Sequence, residues 1–179
     1  MYSCNRGNEE EIILPTPLYN PYSTQIFGKD LSRIMGDDGS NGLPRVIVEA
    51  AKYIRSDCLT VQGLFRVSPP QHLVQFAVSA YDRGHPVDLH DYGPHVAASL
   101  VKNFLSMLPM PVFPAHIYPA LNKFPTVPEA KRTEYIQMHV FDRLDPPVLI
   151  LLDTVLRLLT GTSPCLLANV RCGFCRRIY

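Results

Sequence analysis

Leu43-Pro44-Arg45-Val46-Ile47-Val48-Glu49-Ala50-Ala51-Lys52-Tyr53-Ile54-Arg55-Ser56-Asp57 is the stretch that decides the fold class. Ile47, Ala50, Ala51 and Ile54 recur at i, i+3, i+4 and i+7. That spacing puts them on one face of a helix. Pro44 fits a first helical turn, where its missing N–H costs nothing. The pattern predicts a helix ending near Asp57.

The same reading extends downstream. After a short irregular segment, Thr60 to Val67, the run Ser68-Pro69-Pro70-Gln71 has the form of a capping box, with Ser68 at N-cap, Pro69 at N1 and Gln71 at N3. Leu73, Ala77, Ala80 and Tyr81 make the predicted buried stripe of that helix, and Gly84 its C′ stop. A third helix begins near Pro94, with Ala97, Leu100, Val101, Phe104 and Leu108 on one face and Pro109 ending it. Pro114 opens a short helix through Leu121, kinked at Pro119. Thr126-Val127-Pro128-Glu129 starts another, with Thr133, Ile136, Val140 and Leu144 inward. Asp145 is an N-cap before Pro146 and Pro147, which open an apolar helix from Val148 to Thr160, stopped at Gly161. Its apolarity all round predicts a central, buried helix. Alternating strand patterns and internal repeats are absent from the sequence. Residues 1–26, with Glu9-Glu10-Glu11 and then Pro15, Pro17 and Pro21, read as an extended or disordered tail. The architecture expected is one all-α helical-bundle domain over residues 27–162, followed by an atypical segment over 163–179.

Composition agrees with this. The chain has 179 residues, 17 of them proline, and proline cannot donate to a sheet ladder. A 46% hydrophobic share excludes a disordered chain. A net charge of +1 gives no basic excess of the kind a nucleic-acid partner usually leaves. The longest apolar run, Val148 to Leu159, is interrupted by Asp153 and Arg157 and falls short of the roughly 20 residues a membrane span needs. Five cysteines at irregular spacing imply no disulfide framework. The compartment expected is cytoplasmic.

The irregular segment Gly63-Leu64-Phe65-Arg66-Val67 is unusual for a connection, which normally reads polar. Leu64, Phe65 and Val67 are expected to bury and to hold the backbone rigid. Arg66 then has two readings: a guanidinium presented outward, or one that snorkels or pairs with a nearby carboxylate.

Gly63-Leu64-Phe65-Arg66-Val67-Ser68 resembles the G-I-F-R-x-S segment of RhoGAP domains, the GTPase-activating domains for Rho-family small GTPases. Phe27-Gly28-Lys29-Asp30-Leu31 is similar to the F-G-x-x-L that opens such domains, and Leu43-Pro44-Arg45-Val46-Ile47 to their I-P-x-V-L. Tyr81-Asp82-Arg83-Gly84 is similar to Y-D-x-G. Leu100-Val101-Lys102-Asn103-Phe104-Leu105 and Leu108-Pro109-Met110-Pro111-Val112 resemble L-x-K-x-F-L-R-x-L-P-E-P-L. The matches keep family order over roughly residues 27–160, and several ordered blocks are more specific than one motif.

The resemblance implies an all-α bundle, a GTP-bound Rho/Rac-class GTPase as partner, and no cofactor or metal. It implies a GTPase activator rather than an enzyme with its own active site. Arg66 maps to the catalytic arginine finger, and Lys102, Gly63 and Asn103 to positions that bind the GTPase or support the finger. Ser106 stands where many members have Arg, Met110 where many have Glu, and Pro69 where Gly is usual. The family's N-L-A-x-V-F-x-P block, whose Asn supports the finger, has no clean counterpart. Aligning Leu167-Ala168 puts Leu166 in the Asn position and Asn169 three residues late. The bundle is therefore expected to be incomplete or altered at its C-terminal end, and the alternative function is a GTPase-binding scaffold with weak or no activity.

The remaining candidates read as incidental. Cys172-Gly173-Phe174-Cys175 lacks a second ligand pair. His85, His90 and His95 recur every five residues, a spacing that shares neither a helix face nor a strand face. The sequence contains no G-x-x-x-x-G-K-[ST] loop, so the nucleotide would belong to the partner.

Overall fold

The computed structural model describes residues 25–161. Within them the chain forms helices α1 (Leu31–Met35), α2 (Arg45–Asp57), α3 (Gln71–Asp82), α4 (Leu89–Tyr92), α5 (Pro94–Met107), α6 (Tyr118–Lys123), α7 (Arg132–His139) and α8 (Pro146–Gly161). Short 3-10 turns stand at Ala115–Ile117, Phe124–Thr126, Glu129–Lys131 and Phe141–Arg143. No strand occurs among the described residues. The all-α class is as expected.

α2 buries Val46, Ile47, Ala50, Ala51 and Ile54, the stripe its periodicity predicts, against α5, α4 and α8. α5 buries Ala97, Leu100, Val101 and Phe104 as predicted, and α3 packs on it. Phe27 meets Phe104 edge-on, ring centroids 5.9 Å apart. Asp82 at the end of α3 accepts the backbone amides of Ile26 (2.7 Å) and Phe27 (3.0 Å), which seats the start of the domain on α3. α3 then stops as its sequence predicts. Gly84, at φ +74, lets the Gly84 amide reach the Tyr81 carbonyl and the His85 amide the Ala80 carbonyl. These are the two bonds of a Schellman stop, which needs a left-handed residue at C′. Arg45 of α2 lies 5.2 Å over the Tyr81 ring and donates to the His85 carbonyl. Its Nε sits 3.2 Å from Glu49 Oε1, off the line of a hydrogen bond.

Several expectations need correction. The capping box at Ser68 does not form. α3 begins at Gln71, with Pro70 in an extended conformation (φ −55, ψ 124) at its N-cap and no side-chain cap. A residue before proline is biased away from helical geometry, and here both Pro69 and Pro70 stay outside the helix, although Pro146 opens α8 ahead of Pro147. The stripe of α3 is Val74, Ala77 and Tyr81, while Leu73 and Ala80 are half-buried. The helix expected from Thr126 starts only at Arg132, because Val127 before Pro128 is extended (ψ 130). Thr133 is exposed there, and Val140 and Leu144 are buried beyond the helix end rather than on it. α1 and α4 have no counterpart in the periodicity reading. They are five and four residues long, too short to show a period. α4 is instead announced by Asp88, whose side chain accepts the His90 amide.

α8 is not buried all round. Its buried residues are Pro147, Leu151, Leu152 and Leu158, Leu159 is exposed, and Asp153 pairs with Arg157 one turn on. Its apolarity has a different cause. Leu151 and Leu158 join the main core, whereas Leu152 joins a second cluster with Ile117, Val140 and Leu144. Val148, Leu149 and Leu156 pack on that second cluster and Val155 on the first. One helix thus serves two cores on two faces.

Candidate functional site

The connection from α2 to α3 carries the candidate site. It opens at Cys58, a free buried thiol at the C-cap of α2. Burial pushes that thiol above its usual range, which makes it a poor nucleophile. The chain then makes a tight turn closed by one acceptor. The Gly63 carbonyl takes the amides of Arg66 (2.8 Å) and Val67 (2.9 Å). Gly63 has φ +69, a left-handed conformation that side-chain-bearing residues rarely adopt. A Cβ there would also stand 3.2 Å from Val67 Cγ2 and 3.7 Å from both Nε and Nη2 of Arg66. The Arg66 guanidinium therefore passes close over Gly63, and it is Val67 that a Cβ there would crowd.

Burial falls along the turn. Leu64 is 4% exposed and belongs to the main core, and Phe65 is half-buried against it. Arg66 is exposed. Val67, expected to bury, is 43% exposed. Two amides drawn to one carbonyl curl the chain back over Gly63, so that only Leu64 and Phe65 reach inward. Among the described residues no carboxylate pairs with Arg66, and no hydrogen bond holds its guanidinium.

The other candidates divide. Lys102, in the middle of α5, donates from Nζ to the Phe65 carbonyl at 3.1 Å. It joins Gly63 and Arg66 at one place. Asn103, the next residue, is half-buried, and its carbonyl accepts the Ser106 hydroxyl at 3.0 Å. No hydrogen bond links its side chain to the turn among the described residues. Ser106 and Met110 are both exposed. Asn169, Cys172 and Cys175 lie outside the described residues, as do residues 1–24 of the tail expected over 1–26, whereas Ile26 at its end packs on the core.

One residue of the site went unpredicted. His95 Nδ1 lies 3.4 Å from the Leu64 carbonyl. His95 and Lys102 are seven residues apart, two turns along one face of α5. That i, i+7 spacing is legible in the sequence, whereas the five-residue spacing of His85, His90 and His95 shares no helix face. Among the described residues no group of three or more His, Cys, Asp or Glu could hold a metal. No helix there is long and apolar enough to cross a membrane.

An all-α domain displays an exposed arginine from a turn that a neighbouring helix contacts. The model of the RhoGAP domain family matches residues 44–165, and the chain belongs to that family. It is 32% identical over 125 residues to Rho GTPase-activating protein 1 of Mus musculus, a match covering 69% of this chain and 28% of that protein. It is 30% identical over 139 residues to Rho GTPase-activating protein 8 of Mus musculus, covering 77% of this chain and 33% of that protein. The chain thus spans about a third or less of the length of these curated relatives. The crystal structure of human Rho GTPase activating protein 15 superposes with a TM-score of 0.71 at 21% identity, covering 79% of this chain and 68% of that one, and shares the fold.

Proposed function

We propose that this domain accelerates GTP hydrolysis by a Rho/Rac-class small GTPase in its GTP-bound form, with Arg66 entering the partner's site in trans. The observation that carries the reading is Arg66 itself, exposed and without a carboxylate partner among the described residues, on a turn whose backbone Lys102 holds. Family membership supports it.

The chemistry follows from charge. Phosphoryl transfer spreads negative charge over the γ-phosphate oxygens, and an arginine supplied by a partner typically accelerates the step by about 10³–10⁵-fold. Arginine suits the task because its planar fork can contact two oxygens at once and stays protonated. Lys102 and Gly63 act on the turn: Lys102 holds the carbonyl of the peptide whose amide is tied to Gly63, and Gly63 permits the left-handed bend. Asn103 is assigned to the GTPase-facing surface of α5. The domain supplies a residue to its partner's reaction and needs no cofactor. Its setting is signal transduction in the cytoplasm.

A second reading is a GTPase-binding scaffold with weak activity. Ser106 and Met110 favour it, since both are uncharged on the exposed part of α5 and the segment after it. Single-turnover GTP hydrolysis with a panel of Rho-family GTPases separates the two. Acceleration by the wild type that is lost in Arg66→Ala, with binding kept, establishes the finger. Equal rates for the two proteins overturn it, and binding without acceleration leaves the scaffold.

A further inference from the structure

Carbonyl bookkeeping in the Arg66 turn points beyond Lys102. A buried backbone carbonyl without a partner is costly, so each one has to be accounted for. Gly63 gives its carbonyl to two amides of the turn. The next two carbonyls, Leu64 and Phe65, receive no backbone amide among the described residues. Both are met by side chains from α5: Leu64 by His95 Nδ1 at 3.4 Å and Phe65 by Lys102 Nζ at 3.1 Å. A carbonyl only accepts, so Nδ1 must carry the hydrogen in this contact.

We propose that His95 is a positioning residue for the arginine finger, the second point of a clamp whose first point is Lys102. This rests on the finger reading given above. Lys102 holds the Phe65–Arg66 peptide, whose amide is also tied to the Gly63 carbonyl, and puts no restraint on the carbonyl of the preceding Leu64–Phe65 peptide. Two consecutive carbonyls held from one helix face fix that peptide plane. That plane fixes where Phe65 Cα stands, and so the base from which the Phe65–Arg66 peptide carries the Arg66 side chain. His95 is the second residue of α5, directly before buried Val96 and Ala97, so its ring is carried by the packed first turn of the helix. At 3.4 Å the contact is long, so its effect falls on the orientation of the turn rather than on the stability of the domain.

The test uses two variants of the full chain. His95→Phe keeps a flat ring and removes the donor. His95→Asn keeps an amide donor near the position of Nδ1. The first readout is stimulated single-turnover hydrolysis beside the affinity for the GTPase loaded with a non-hydrolysable GTP analogue. The second is amide hydrogen exchange at Arg66 and Val67 in the free domain, which needs no GTPase. The expected result is a stimulated rate about two- to fivefold lower in His95→Phe, the lower part of the range of one hydrogen bond because the contact is long, with affinity for the GTPase unchanged. Exchange at Arg66 and Val67 should quicken by a similar factor, and His95→Asn should recover most of both. Wild-type behaviour of His95→Phe in both readouts overturns the proposal. So does an equal loss in both variants with exchange raised throughout α5, which marks a packing role. If the wild type stimulates no GTPase, the finger reading fails, and the exchange data alone decide whether His95 holds the turn.

Discussion

Lys102 donates its Nζ hydrogen to the carbonyl of Phe65, 3.1 Å away and 37 residues earlier in the chain. The bond joins the middle of α5 to the residue immediately before Arg66. Removing it in Lys102→Ala frees the turn and withdraws a charged donor, whose hydrogen bonds are worth about 1.5–3 kcal/mol. Stimulated GTP hydrolysis should fall by about 10–100-fold, the rate equivalent of most of that range. Single-turnover rates measured against Arg66→Ala place the loss, which should stay smaller than that of the arginine variant.

Gly63→Ala puts a Cβ on a left-handed backbone, 3.2 Å from Val67 Cγ2. Left-handed geometry costs a non-glycine residue about 1–2 kcal/mol. The melting temperature should drop by about 3–8 °C, and stimulated hydrolysis should fall although Arg66 is intact. Gly63→Asn should regain part of both, because asparagine tolerates this region better. Calorimetry beside the hydrolysis assay checks the pair.

Asp82 holds the amides of Ile26 and Phe27. Asp82→Ala leaves two backbone donors without that acceptor and should destabilise the domain by about 1–3 kcal/mol, with Asp82→Asn recovering part through its one remaining carbonyl oxygen. Urea denaturation measures both. Stabilities equal to wild type would show that the start of the domain is held by Phe27 packing alone.

Tyr81 is fully buried and donates to Glu49 at 2.7 Å. Burial first, and then the Glu49 carboxylate, push its hydroxyl above the ordinary tyrosine range. The folded chain therefore holds this proton more tightly than the unfolded chain. The stability it contributes is fully present below about pH 10, where an unfolded tyrosine is protonated. It is lost progressively as pH rises from there through the folded-state value. Tyr81→Phe should lose about 1 kcal/mol at neutral pH and show a shallower decline above about pH 10. Denaturant midpoints collected from pH 7 upward read the slope directly.

Much of the fold was legible because its signals are local. Ile47, Ala50, Ala51 and Ile54 carry their own period, and Gly84 and the Asp145-Pro146 step mark their own boundaries. Ser68 misled for a local reason too: its Pro69-Pro70 step stays extended outside α3, whereas the like step at Pro146-Pro147 opens α8. α8 misled for a non-local one. Its apolar faces look alike in sequence, and only packing assigns Leu151 and Leu158 to one cluster and Leu152 to another.

By itself the sequence determined an all-α class, the order of its longer helices, and the place of Arg66 on an apolar connection between two of them. Periodicity, proline and glycine act within a few residues, so a linear reading reaches them. Only the tertiary structure decided that Val67 faces outward, that Gly63 lies beneath the arginine, and that the Leu64 and Phe65 carbonyls are met by His95 and Lys102. Those contacts span 31 and 37 residues. They join backbone oxygens that have no sequence signature to side chains that reach them only once α5 has packed against the core.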